Sequence, residues 1–330
     1  RGRLPGRGDD CGHQEPADRL GGKHLNGILV VNKPAAISSA GVVAHVKRLL
    51  QAGRVGHTGT LDPFARGVLV CCINQATRLA RFMLQGRKAY AAVMTLGVET
   101  DTQDVTGRVV ARGDWTGISE AAIAAAVRRF EGDIAQAPPV FSALKHEGVP
   151  LYTLARRGQP VQKPPRNVHV HRIRVLAVAL PEVRFEVHCS AGTYVRTLAA
   201  DIGRELGCGA HLSELTRTES GGFSLAQALT LEELEDLSRR GAVRERLLPM
   251  AQALAGWPEV AADRRLLENV RTGRRLTRRE LSVPPDGGPV AFGDGLLKVM
   301  DEQGELAAVL LFKAGQDDLE YACVFARPEG

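Results

Sequence analysis

The sequence lacks the marks of several protein classes. No glycine-rich stretch ends in the Gly-Lys-Ser/Thr of a phosphate loop, and Gly53, Gly56 and Gly59 are spaced GxxGxxG rather than as the GxGxxG of a dinucleotide fingerprint. The six cysteines, Cys11, Cys71, Cys72, Cys189, Cys208 and Cys323, form no CxxC pair and no evenly spaced disulfide framework. Adjacent Cys71 and Cys72 would point to opposite faces of a strand, so no metal site is expected. The thiols read as reduced and mostly buried, as in a cytoplasmic protein. No apolar run approaches a membrane span, and the first residues lack the apolar core of a signal peptide. Residues 1–24 are rich in Gly, Arg and His and also carry Asp9, Asp10, Glu15 and Asp18. They read as a disordered leader rather than an acid-poor transit peptide.

What is present is enough for a full core. With 330 residues, 44% of them hydrophobic, one large and one small domain are expected. The charge is uneven. Residues 250–330 hold 10 Lys and Arg against 13 Asp and Glu, which leaves residues 1–249 with a balance of +9. A basic large domain with an overall pI of about 9.1 suits a polyanionic partner, although charge alone does not separate RNA binding from a solvated basic surface.

GILVV, residues 27–31, reads as a buried strand, followed by a helix capped by Ser39 that presents Val42, Val43, Val46, Leu49 and Leu50 on one face. Further strands are expected over Val68–Ile73 and Lys88–Leu96, with a short helix over Ala76–Leu84. A helix capped by Ser119 should span Glu120–Phe130. Paired strands follow near 168–180 and 184–190, the second turning Phe185, Val187 and Cys189 inward. Tyr194–Leu206 reads as a helix, and Thr230 with Glu233 as a capping box. Between these lies a proline-rich, basic insertion at residues 136–167, whose LYTLARR core should form a short helix. A boundary falls near Leu248–Trp257. Beyond it, LLKVMDEQGELAAVLLF reads as two strands about a glycine turn. Five arginines crowd RTGRRLTRR, residues 271–279, as either a solvated face or a patch for RNA backbone.

The sharpest local feature is RVGHTGTLDPFARG, residues 54–67. Pro63 pushes Asp62 towards extended backbone, and Gly56 with Gly59 permits a close, exposed loop path. Asp62 is therefore presented by a loop, where it could equally cap a turn.

The motifs GILVVNKP, VGHTGTLDP, QATR, KAYAAVMTLGVETDTQDVTG, FSALKHEGVPLYTLARRG, CSAGTYVRTLAADIG and LGCGAHLSELTR occur in this order between Gly27 and about Met250. In this the chain resembles the TruB tRNA pseudouridine synthases. Phe64, Arg66, Val70 and Gln75 depart from the family's usual residues without touching the acidic centre. The resemblance implies an α+β pseudouridine synthase fold: a mixed, mainly antiparallel sheet with flanking helices over residues 25–249 and a thumb-like insertion at about 136–167. It further implies a small C-terminal β domain, residues 250–330, similar to the PUA-type RNA-binding domain. The implied activity is isomerisation of the tRNA T-loop uridine numbered 55, without cofactor or guide RNA, on the T stem-loop, and nothing in the sequence demands more than a monomer.

The same resemblance makes Asp62 the catalytic carboxylate and Arg196 its partner. Breaking the N1–C1′ bond builds oxocarbenium character, which an ionised carboxylate stabilises or traps. Such a carboxylate must stay ionised while a stacked base excludes water, so it needs a cation beside it. Tyr90 is implied to stack on the flipped uracil, His57 to brace the vacated space, and Leu215 to wall the pocket. Lys33 and Tyr194 are implied to border it. Lys145, Arg156, Arg157, Arg274, Arg275, Arg278 and Arg279 are candidate RNA contacts. The rival readings are a guide-RNA-dependent pseudouridine synthase, against which the long insertion argues, and a noncatalytic RNA-binding or RNA-folding protein.

Overall fold

The computed structural model describes residues 25–281, 295–313 and 316–325. The expected leader, residues 1–24, lies outside them. The larger part is built on a nine-stranded sheet whose continuous path runs through Gly27–Lys33, Arg66–Ile73, Ala210–Ser220, Lys88–Leu96, Glu182–Cys189, Arg166–Ala179 and Gly132–Gln136. Every pairing along this path is antiparallel except Arg66–Ile73 against Ala210–Ser220.

The unbroken apolar runs of the first two strands follow from burial on both faces. Leu29, Val31, Leu69 and Cys71 pack under the helices Ser39–Leu49 and Leu231–Arg239. Ile28, Val30, Val68, Val70 and Cys72 point the other way, into a core shared with Leu306, Val309 and Phe325 of the C-terminal region. Cys71 and Cys72 thus sit on opposite faces, as the strand periodicity requires. Farther along the sheet, the helices Glu120–Arg128 and Val195–Glu205 cover one face, burying Ile123, Val127, Leu198 and Ile202 against Met94, Phe185, Val187 and Leu212.

Most elements fall where sequence periodicity puts them, and two differ. Ser38, not Ser39, caps the first helix: its Oγ accepts from the Gly41 N–H at 3.0 Å. Ser39 is the first helical residue and turns inward. The expected helix over Ala76–Leu84 divides into a 3₁₀ segment, Asn74–Leu79, and one α-turn, Ala80–Met83, because Asn74 enters with φ of 48° and bonds back to Leu25. In the basic insertion, LYTLARR orders as the helix Leu151–Arg156 after a two-residue hairpin pair, Lys145–His146 with Val149–Pro150.

The C-terminal region forms a second, five-stranded sheet, ordered Glu259–Ala261, Gly295–Met300, Leu306–Phe312, Asp318–Val324, Leu276–Thr277. Helix Arg264–Thr272 packs Leu266, Leu267 and Val270 onto it, starting at the Asp263 cap and ending at Gly273 in the left-handed region. This sheet is fastened to the larger one by more than the shared core. Arg78 donates to the Val324 carbonyl at 2.5 Å, Arg81 donates to the Ala322 carbonyl, and Phe82 meets Trp257 edge-on at 5.7 Å.

One crossing governs the centre of the large sheet. Gly67 faces Arg217 across the parallel bridge with φ of 101°, and a Cβ there would lie 2.2 Å from the Arg217 carbonyl oxygen. Both the backbone conformation and the space demand glycine. We expect Gly67→Ala to destabilise the protein by about 3 kcal/mol or more. Chemical denaturation checks this, and an unchanged midpoint would contradict it.

Candidate active site

The loop that carries Asp62 leaves the short strand Val55–His57, crosses the end of the sheet and re-enters it at Arg66. Gly56 belongs to that strand; the backbone freedom is used at Gly59, whose φ is 135°. Three buried side chains hold the loop by its peptide groups. Ser39 Oγ donates to the Leu61 carbonyl at 3.0 Å and accepts from the Leu61 N–H at 2.8 Å. Lys33 Nζ donates to the carbonyls of Pro34, Pro63 and Ala65 at 2.8, 3.2 and 2.7 Å. Arg217 donates from Nε to the Val68 carbonyl at 2.7 Å and from Nη2 to the Gly59 carbonyl at 3.0 Å. Asp62 is thus bracketed by fixed peptides on both sides, with its carboxylate about one-third exposed.

Arg196 meets that carboxylate side-on. Nε donates to Oδ2 at 2.8 Å and Nη2 to Oδ1 at 3.1 Å. The remaining donors reach the Thr102 carbonyl from Nη1 at 2.8 Å and the Phe141 carbonyl from Nη2 at 2.9 Å. A second carboxylate stands behind: Asp104 Oδ2 lies 3.6 Å from Nη1, and Oδ1 accepts from Thr102 Oγ1, Thr106 N and Thr106 Oγ1 at 2.8, 2.9 and 2.5 Å. Arg196 is 2% exposed, so its planar fork is fixed by partners from three segments of chain. The helix that presents it starts at Tyr194, whose N–H donates to Gln136 Oε1 at 2.7 Å while Gln136 Nε2 donates to the Tyr194 carbonyl at 3.1 Å.

Asp62 and Arg196 open into a cavity of about 340 Å³, walled also by Tyr90, Tyr194, Leu215 and Lys88. The volume falls at the lower end of small-ligand pockets. Tyr90 is buried, and burial drives its phenol pKa up, against the opposing charge and hydrogen bond of Arg217. The Arg166 guanidinium lies 5.2 Å from the Tyr194 ring centroid at the mouth.

The structure therefore brings Asp62, Arg196, Tyr90, Tyr194 and Leu215 onto one cavity. Lys33 and His57 stand outside its wall. Lys33 is fully buried behind the loop, where burial lowers its ammonium to about 8, with the Asp62 charge opposing and Arg217 assisting. His57 Nδ1 accepts from the Gly59 N–H at 3.3 Å, and burial, with Arg217 behind it, holds the imidazole below its usual range. Lys145, Arg156 and Arg157 lie on the insertion, and all three are exposed. The arginine run is engaged within its own domain. Arg275 pairs with Asp318 at 2.5 Å, Arg274 with Glu280 at 3.7 Å and Arg279 with Asp317 at 3.7 Å, while Arg278 donates to the Lys313 carbonyl at 2.6 Å.

Sequence reasoning passes over Asp104, Arg217, Gln136, Lys88 and the inward role of Ser39. All five lie in or beside the motifs that carry the family resemblance, yet residue type alone does not separate a clamp from a core or turn residue.

Residues 47–195 match the TruB family pseudouridylate synthase N-terminal domain, and residues 196–255 match the tRNA pseudouridylate synthase B C-terminal domain. A protein from Burkholderia pseudomallei (strain K96243) named tRNA pseudouridine synthase B is 43% identical over 294 residues, covering 89% of this chain and 93% of its own. One of the same name from Geotalea uraniireducens (strain Rf4) is 48% identical over 231 residues, covering 70% and 74%. Among solved structures, a chain of a Cbf5-Nop10-Gar1 complex superposes with a TM-score of 0.71 at 28% identity, covering 93% of this chain and 87% of that one. A chain of an H/ACA RNP bound to a substrate RNA gives 0.68 at 26%, covering 91% and 86%. The chain belongs to the TruB family of pseudouridylate synthases, and its α+β architecture is the pseudouridine synthase fold.

The loop geometry makes a test independent of turnover. Ser39→Ala leaves the buried Leu61 N–H and C=O without their partner, at a cost of about 1–3 kcal/mol. We expect faster amide exchange through residues 59–65 at unchanged protection elsewhere in the sheet. Unaltered exchange at Leu61 would show that the clamp does not hold the loop.

Proposed function

We propose that this chain isomerises the uridine at position 55 of the tRNA T loop to pseudouridine, acting directly on the folded T arm. The observation that carries the reading is the side-on Asp62–Arg196 pair inside a nucleoside-sized cavity flanked by Tyr90 and Leu215. Family membership and the 43–48% identity to relatives named tRNA pseudouridine synthase B support the tRNA substrate.

The chemistry follows from the arrangement. A uridine in a folded loop must be extruded before its glycosidic bond is accessible. Tyr90 and Leu215 offer an aromatic face and an aliphatic wall for the extruded base. Asp62 then faces the sugar. As the N1–C1′ bond breaks, positive charge grows at the sugar, and a fixed carboxylate stabilises it without reorganisation. Addition at C1′, addition at C6 and proton removal at C2′ all require the same ionised, oriented group. Rotation of the uracil and bonding through C5 complete an isomerisation with no net redox change. The guanidinium keeps the carboxylate aimed and gives it a counter-charge as the base displaces water.

The C-terminal sheet is proposed as a PUA-like RNA-binding domain that extends contacts along tRNA, and the insertion at 136–167 as a thumb that grips the T stem. The carbonyl of Phe141, at the root of that insertion, accepts from Arg196, which ties the grip to the catalytic pair. We place the main phosphate contacts on Lys145, Arg156 and Arg157, which make no ion pair among the described residues, rather than on the internally engaged arginines 274–279.

Tritium release from 5-[³H]uridine-labelled tRNA tests the reaction, since only glycoside formation at C5 expels that hydrogen. Release without added RNA or protein is expected. A requirement for a second RNA would favour the guide-dependent reading suggested by the Cbf5 neighbours. Asp62→Ala should abolish release while leaving tRNA affinity within several-fold, because one carboxylate contributes little to a polyanion interface; parallel loss of binding would return Asp62 to a structural role. Replacing Lys145, Arg156 and Arg157 together by Gln should flatten the salt dependence of tRNA binding by about 0.7 to 0.9 in log–log slope for each phosphate the cations had neutralised. The same treatment of Arg274, Arg275, Arg278 and Arg279 should flatten it less, and the reverse order would move the main grip to the C-terminal sheet.

A further inference from the structure

Three buried cations crowd the loop that presents Asp62, and among the described residues only one carboxylate, already engaged by Arg196, sits on that loop. Lys33 is sealed behind the loop, but Lys88 and Arg217 both reach the cavity wall. Lys88 is 8% and Arg217 1% exposed. Neither forms an ion pair among the described residues. Lys88 Nζ donates to the carbonyls of Leu84 and Gly86 at 3.0 and 2.8 Å, which leaves one of its three donors over. Arg217 donates to the carbonyls of Gly59 and Val68, reaches that of Thr60 from Nη1 only at a long 3.5 Å, and sits opposite Tyr90 in the strand register. Cys189, which also lies near Lys88, supplies no counter-charge: burial drives its thiol up to about 11, so it is protonated at neutral pH.

The two cations converge on one spot. A Cβ placed on Gly59 would lie 3.6 Å from Lys88 Cε and 3.7 Å from Arg217 Nη1. The missing side chain therefore leaves a gap in the loop between them. It lies three residues before Asp62, at most about 10 Å along the chain. That span is within the reach of one nucleotide's sugar and flanking phosphate.

Two buried cations without an anion are costly to the free protein, and polar carbonyls only partly offset the lost solvation. A neutral uracil would leave them uncompensated, whereas a phosphodiester carries the needed charge and acceptor oxygens. We propose that Lys88 and Arg217 form a phosphodiester subsite that holds the backbone next to the flipped uridine, fixing its sugar against Asp62. This rests on the proposed extrusion of a uridine into the same cavity. Lys88 is the accessible half of the subsite; Arg217 also braces the loop.

Hairpins of the T stem-loop carrying a single neutral methylphosphonate, either 5′ or 3′ to the target uridine, test the assignment. With the wild-type protein, one of the two substitutions should weaken binding by about 10-fold or more, as expected for loss of a charge-assisted bond. Lys88→Met should bind the unmodified hairpin more weakly than wild type and lose most of its sensitivity to the methylphosphonate, the remainder belonging to Arg217, while Lys88→Arg should restore the discrimination. No effect of either methylphosphonate on the wild-type protein would overturn the subsite, and this arm requires no variant to fold. An equal penalty in wild type and Lys88→Met would place the phosphate elsewhere. Failure of the wild-type protein to release tritium from the unmodified hairpin would instead count against the proposed function itself.

Discussion

The side-on pairing of Arg196 with Asp62 is the interaction around which the site is arranged. A carboxylate on a loop has neither fixed direction nor assured ionisation once a base covers it. The guanidinium supplies the direction and a counter-charge, because its fork spans both oxygens and its other donors are tied to Thr102 and Phe141, with Asp104 behind. Rigidity is passed backward from there. Gln136 fixes the start of the Arg196 helix, while Ser39, Lys33 and Arg217 fix the Asp62 loop through its peptides. Two segments far apart in sequence, 59–65 and 194–196, are thereby held to the geometry of one ion pair.

The sheet makes this possible by burying both faces of its first strands. Ile28 and Val30 pack towards the C-terminal sheet, and Leu29 and Val31 towards helices. The two sheets therefore share a core, and Arg78 and Arg81 add bonds to the carbonyls of Val324 and Ala322. Removing the C-terminal sheet would strip apolar cover from Ile28, Val30 and Val70. The C-terminal region is thus a structural part of the scaffold that positions the Asp62 loop, in addition to any contact it makes with RNA.

Much of the fold is legible in the sequence because its signals are local. Strand runs such as Val68–Ile73, the Thr230–Glu233 capping box and the apolar face of Val195–Glu205 each depend on neighbours in sequence. Sequence and structure part where local chemistry is degenerate. Ser38 and Ser39 can each cap a helix, and only the position of Leu61 across the fold decides that the second turns inward. RTGRRLTRR is a solvated face or an RNA patch by charge alone; Asp317 and Asp318, which engage Arg279 and Arg275, are brought beside it by the strand pairing of Leu276–Thr277 with Asp318–Val324, whereas Glu280, which engages Arg274, is its neighbour in sequence. In the site, Asp62 and Arg196 can be named from motifs through the family resemblance. Asp104, Gln136 and Arg217 act through backbone groups and charges far away in sequence, which no spacing encodes.

Arg196 gives Asp62 a fixed geometry and not charge alone. Single-turnover pseudouridine formation with saturating Arg196→Lys protein separates the two contributions. A lysine ammonium retains the charge but cannot span both carboxylate oxygens while holding the Thr102 and Phe141 carbonyls, so the expected rate is lower by about 100-fold or more at near-normal tRNA affinity. A rate within a few-fold of wild type would show that a nearby cation suffices and that the fork is not the constraint on which the site is built.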